Sequence, residues 1–139
     1  MKTLHRARLR LTKSLALFAL LFPLAASPVL GAELTASDGA VNDYFGLSVS
    51  MSGSIGLVAA IQDDIGANPD QGSAYVFRSL DTATGTITQS VKLTASDGAA
   101  SDRFGQSVSQ SGSIGLVGAL FDDIGANPDQ GSAYVFRSL

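Results

Sequence analysis

Residues 34–80 are written a second time at 93–139, and an internal repeat of this size limits what the chain can fold into more than any other feature. At an offset of 59 the copies agree at 39 of 47 positions, differing at Val41/Ala100, Asn42/Ser101, Tyr44/Arg103, Leu47/Gln106, Met51/Gln110, Ala59/Gly118, Ile61/Leu120 and Gln62/Phe121. A supersecondary unit of this length does not bury its apolar surface alone. Copies stack, and the core forms between them.

Within each copy the pattern is that of strands. Phe45, Leu47, Val49 and Met51 alternate with Gly46, Ser48 and Ser50, which predicts a strand over 45–51. Ser52-Gly-Ser54 makes a tight turn, and 55–61 is apolar on both faces, as a fully buried strand is. A loop over 62–71 leads to a third strand over 72–78; a turn at 80–85 and a more polar strand over 86–93, suited to an outer edge, complete the unit. The segment 34–43 reads as polar turn, with Asp38-Gly39 its tightest signal. No helical period occurs.

Short antiparallel strands, four to a repeat and apolar on both faces in the middle, are what a propeller blade needs, because each blade packs between two others. A sandwich strand needs one buried face, and stacked solenoids use shorter repeats. The expected fold is all-β: β-propeller blades of four antiparallel strands in an incomplete ring, with a first repeat over 33–92 and a second over 93–139 lacking its last strand. Propellers close with about four to eight blades, so the expectation includes either a truncated piece of a longer protein or several chains completing a ring as a homo-oligomer.

The start of the chain reads differently. Lys2, Arg6, Arg8, Arg10 and Lys13 precede an apolar run over 15–26, the layout of a secretory signal peptide over 1–32, cleaved after Gly31 or Ala32. The run is short of the ~20 residues that span a bilayer and contains Pro23. The expected product is secreted, or held at the cell surface or in a periplasm. From Glu33 onward four basic side chains face twelve acidic ones, a net charge of −8 that disfavours nucleic acid. That part has no Cys, no Trp and no His, His5 being the chain's only one. Ser-His-Asp and Cys-His nucleophile systems and His/Cys zinc sites are thereby excluded from it, and the expectation is not an enzyme.

Strand direction alternates, so the loops before the first strand and between the second and third share one end. Asp38, Asp43, Tyr44, Asp97, Asp102 and Arg103 are the ligand-face candidates there, with Tyr44 and Arg103 differing at one loop position. The candidate metal ligands are Asp63, Asp64, Asn68 and Asp70, and in the second copy Asp122, Asp123, Asn127 and Asp129. Oxygens at alternating positions suit a hard cation such as Ca²⁺. The competing reading is that these side chains cap turns by bonding their own backbone. Arg78 and Arg137 read as solvated edge charges, and Tyr75, Phe77, Tyr134 and Phe136 as core between blades.

Phe45-Gly46, Gly118-Ala119, Ser-Ala-Tyr-Val-Phe in both copies, Leu-Thr-Ala-Ser-Asp-Gly and Asp102-Arg-Phe-Gly105 together resemble the FG-GAP repeat of integrin α-subunit propellers, and more closely its bacterial secreted type. The resemblance implies a propeller blade in an extracellular binding or cell-adhesion protein, with these loops as the ligand-facing surface for a protein or carbohydrate. The alternative it leaves is a structural or truncated propeller fragment with no ligand of its own. The family's calcium loop, Asp-x-Asp-x-Asp-Gly between the FG and GAP motifs, is not matched: Ser52-Gly-Ser-Ile55 and Ser111-Gly-Ser-Ile114 stand there without a carboxylate. The first copy has Ala59-Ala60 for Gly-Ala, and neither copy has the following Pro.

Overall fold

The computed structural model describes residues 31–139; the signal segment expected over 1–32 lies outside them except for Gly31 and Ala32. Nine strands follow in order: β1 (Ala32–Thr35), β2 (Phe45–Ser52), β3 (Ile55–Ala60), β4 (Ser73–Phe77), β5 (Gly85–Thr88), β6 (Val91–Leu93), β7 (Phe104–Ser111), β8 (Ile114–Ala119) and β9 (Ser132–Arg137). The first repeat forms a four-stranded antiparallel sheet in the order β2-β3-β4-β6, and the second a three-stranded sheet in the order β7-β8-β9. These are two propeller blades in an unclosed ring.

Because β3 and β4 are buried on both sides, each of their faces builds a core. Leu57, Ala74 and Val76 point toward the second sheet and pack with Phe104, Val117, Ala119 and Leu139. Val58, Ala60, Tyr75 and Phe77 point the other way, under Leu34, Phe45, Leu80 and Ile87. β7 lies across β2 and β3. The far face of the second sheet has no such cover, and Ile114, Leu116 and Val135 are each about half exposed there.

The sheets are also joined at a corner. Phe104 N–H donates to the Gln71 carbonyl at 2.8 Å and Ser101 N–H to the Pro69 carbonyl at 2.9 Å, so the start of the second blade hydrogen-bonds the loop of the first. The Phe104 ring is fully buried, 5.4 Å from the Tyr134 ring and 5.9 Å from that of Phe136. Burial of a Phe contributes about 1.5–3 kcal/mol. Gly105 follows at φ 99°, where the ladder shifts register between Phe104 and Ser107. That conformation and the space both require glycine: a Cβ would come within 2.8 Å of Ala59 Cβ and of the Ser73 carbonyl oxygen.

Two features depart from the sequence reading. The fourth strand expected over 86–93 is broken at Gln89-Ser90; only β6 pairs with β4, while β5 leaves the blade and pairs in parallel with β1. The segment read as polar turn begins with a strand, since Leu34 lies on the apolar face of the first sheet. The physical reason is shared: Tyr75 and Phe77 need cover, and Leu34 and Ile87 supply it as neighbours in one short ladder.

Gly46 and Gly105 separate backbone strain from packing, because a Cβ on Gly46, at φ 93°, meets nothing within 4 Å. Urea unfolding should show Gly46→Ala costing about 1–2 kcal/mol, the left-handed penalty alone, and Gly105→Ala costing at least about 2 kcal/mol more as the sheets are forced apart.

Candidate functional site

The loops at 36–44 and 62–71, with their counterparts in the second repeat, gather at one end of the sheets. Asp63 is the hinge of the first set. It is 4% exposed, and its Oδ2 receives the Ser73 and Tyr75 hydroxyls and the Lys92 ammonium, the last at 2.6 Å. Lys92 also meets Asp38 Oδ2 at 2.6 Å and stands 5.3 Å from the centre of the Tyr75 ring. The Tyr75 hydroxyl lies within hydrogen-bond reach of both Asp38 and Asp63, and its single hydrogen serves one at a time.

This arrangement fixes the charge states. Burial pushes the Tyr75 hydroxyl up to about 12, so it is a neutral donor. Burial works against the Lys92 ammonium, but the hydrogen bonds it donates to Asp38 and Asp63 outweigh it and the net shift is upward. The hydrogen bond from Lys92 holds the Asp38 carboxyl below its ordinary value, ahead of the opposing effect of burial. In the second repeat the Tyr134 hydroxyl reaches Asp97 at 2.8 Å and Asp122 at 2.9 Å, again shifted upward by burial, with no lysine beside it.

Four of the remaining carboxylates act on their own loop's backbone. Asp43 and Asp102, both buried, accept the Ala40 and Ala99 N–H groups at 2.6 Å. Asp64 and Asp123 accept the N–H groups of Asp70 and Asp129, which sit at φ 53° and 52°. Asn68 donates to Gln71 Oε1 and to the Gly98 carbonyl, tying the loops of the two repeats together, whereas Asn127 reaches only Gln130. Among the described residues no three Asp, Glu, His or Cys side chains converge as metal ligands, and the β2–β3 and β7–β8 turns carry no carboxylate. The residues present do not fit the family's calcium loop.

What remains open to solvent is an acidic rim. Asp38, Asp64, Asp97, Asp123 and Asp129 are exposed. A depression of about 380 Å³ lies between Asp38, Asn42, Asp64 and Asp70. Tyr44 is 56% exposed beside it, and Arg103, at the equivalent corner, lies 5.2 Å over the Phe121 ring. Chemically the rim accepts hydrogen bonds and attracts cations. Sequence reasoning missed Lys92, which occurs in one copy only: its repeat counterpart is Glu33.

Replacing Lys92 by Met leaves Asp63 buried without its cation, and thermal or urea unfolding should register a loss on the order of 2–3 kcal/mol. Asp102 gives the opposite sign. Burial raises its carboxyl above the ordinary value, despite the Ala99 N–H, so the stability it offers is complete below the unfolded value and is lost as pH rises through the folded one. Asp102→Asn keeps an acceptor for Ala99 and removes the charge. Its unfolding midpoint should exceed that of the parent at pH 7, with the gap closing as both are acidified below the carboxylate range.

The FG-GAP repeat model matches residues 29–77 and 87–136, more than half of the chain and once per copy. Comparison with curated proteins and with solved structures gives no match. With two blades built on a Phe-Gly corner and a family match over each, the chain belongs to the FG-GAP repeat family.

Proposed function

We propose that this chain is a secreted or surface-displayed, non-enzymatic binding module that takes a protein or carbohydrate ligand on its acidic loop end. The observation that carries this reading is the gathering of exposed carboxylates from both repeats on one rim, beside Tyr44 and Arg103. Tyr44 and Arg103 occupy the same left-handed corner, each at φ 53°, so the backbone is held constant while the side chain varies. The basic start and apolar run over 1–26 support export. The hydrogen bonds of Asp63, Asp64 and Asn68 support direct contact between the rim and its ligand, without a resident ion. A second reading, a structural piece of a larger propeller, is favoured by the bare apolar face of the second sheet.

The test is binding of the purified chain to a glycan array and to an immobilised basic protein, lysozyme. Saturable binding to one of them should fall about tenfold or more in a variant combining Asp64→Asn, Asp123→Asn and Tyr44→Ser, with its unfolding midpoint unchanged. Absence of saturable binding to both, or binding that the variant retains, overturns the assignment.

A further inference from the structure

The internal contact between the two blades is a template with two ends, and each end is also present in unpaired form. On the receiving side, Phe104-Gly105 enters a slot walled by Ala59, Ile61, Gly72 and Ser73. The repeat counterparts of those residues, Gly118, Leu120, Gly131 and Ser132, line an open slot of about 490 Å³ on the second sheet. Beside it lie Leu116 and Val135, whose counterparts Leu57 and Val76 are fully buried in the contact between the sheets, and Ile114, whose counterpart Ile55 is partly buried against the same core.

On the entering side, Phe45-Gly46 is the counterpart of Phe104-Gly105, and the residues around it are free. Tyr44, Val49 and Met51 are more than half exposed, while Val108, the counterpart of Val49, packs into the shared core.

The edges match as well. β4 is completed by β6 through the pairs Ala74↔Leu93, Tyr75↔Lys92 and Val76↔Val91. The counterpart of β4 is β9, whose outer edge carries no strand among the described residues. The counterpart of β6 is residues 32–34, which is β1. Within its own chain β1 is held instead by β5, in a short parallel ladder whose Gly85, Thr86 and Thr88 are exposed. Parallel pairing is slightly less stable per residue than antiparallel. β5 therefore occupies the place that a β9 edge would take.

We propose that the second sheet is a docking surface for the first repeat of another copy of this chain, in which β1 of one copy adds to β9 of the next and its Phe45-Gly46 enters the Gly118–Gly131 slot. The expected register is Ala133↔Leu34, Tyr134↔Glu33 and Val135↔Ala32. The contact is head-to-tail, so it either closes on itself, with about two to four chains at the usual number of blades, or grows as an open array. Strand addition supplies main-chain hydrogen bonds, and the corner supplies specificity.

One pair is mismatched. Lys92, which joins Asp38 and Asp63 in the first blade, is replaced in this contact by Glu33, which would face Asp97 and Asp122. Like charges at that point weaken the contact, and reversing one should strengthen it. Glu33 is exposed, so the reversal leaves the monomer intact.

The experiment is light scattering of the chain over a concentration series, alongside Glu33→Lys, Leu116→Lys and the double variant. Association should tighten about tenfold in Glu33→Lys, vanish in Leu116→Lys, and stay absent in the double variant, since Leu116 lies on the receiving face and is already 45% exposed. A monomer at every concentration for both the parent and Glu33→Lys overturns the proposal and leaves the face to a repeat of a different protein. Association that Leu116→Lys does not reduce overturns it too.

Discussion

One small corner of backbone holds the molecule together: Phe104-Gly105, seated under the loop that follows β3. Its amide is satisfied by the Gln71 carbonyl, its ring closes the core over Tyr134 and Phe136, and its glycine leaves room for Ala59 and the Ser73 carbonyl. A larger residue at 105 would meet backbone, which cannot move aside as a flexible side chain can. The loop receiving the corner is the one that carries Asp63, Asp64, Asn68 and Asp70. Packing device and acidic rim are thus one piece of chain, and the rim is positioned by the contact that joins the blades.

That coupling explains why so many carboxylates in a segment of net charge −8 are tied to the protein itself. A left-handed residue such as Asp70 needs its amide held, and Asp64 holds it. A turn closing at Asp43 or Asp102 needs an acceptor for the amide three residues back. Asp63, nearly inaccessible, would be costly to bury if Ser73, Tyr75 and Lys92 did not converge on it. Asp38, Asp64, Asp97, Asp123 and Asp129 stay exposed and define the rim, and all of them but Asp129 also use a carboxylate oxygen to hold a neighbouring group.

The middle strands of each blade were legible in the sequence because alternation and two-sided hydrophobicity are local signals: β2, β3 and β4 fall within a residue or two of where Phe45, Ile55 and Tyr75 place them. The ends of the first repeat were not. β1 lies in a stretch whose Thr35-Ala-Ser-Asp-Gly39 reads as turn, and its partner β5 is about fifty residues away in a parallel ladder that no periodicity announces. The acidic end was legible as a place, since strand alternation puts both loops there. The roles of its residues were not, because an Asp that caps a turn and an Asp that offers its oxygens to a ligand look alike in sequence. Lys92 stayed hidden for a different reason: it reads as an ordinary charge on a polar outer strand until Tyr75, Asp38 and Asp63 are brought around it.

Near-identity of the repeats makes the molecule its own control, and Ser48 and Ser107 show what stacking changes. Ser48 Oγ accepts the Val108 N–H at 3.0 Å, just as Ser52 Oγ accepts that of Gly112 at 2.9 Å, so two serines of β2 bind the next blade's first strand and the turn after it, side chain to backbone. Opposite Ser48 the first copy has Ala59, where the second has Gly118. A Cβ on Gly118 would come within 2.7 Å of Ser107 Oγ. In the second blade the serine hydroxyl therefore lies over the sheet, and in the first it has swung out to the neighbouring strand. The same residue in the same strand takes two positions, the one over Gly118 being open only where the facing residue has no Cβ. The serines of β2 are accordingly part of the contact between blades, and their small size lets the next strand's amides approach.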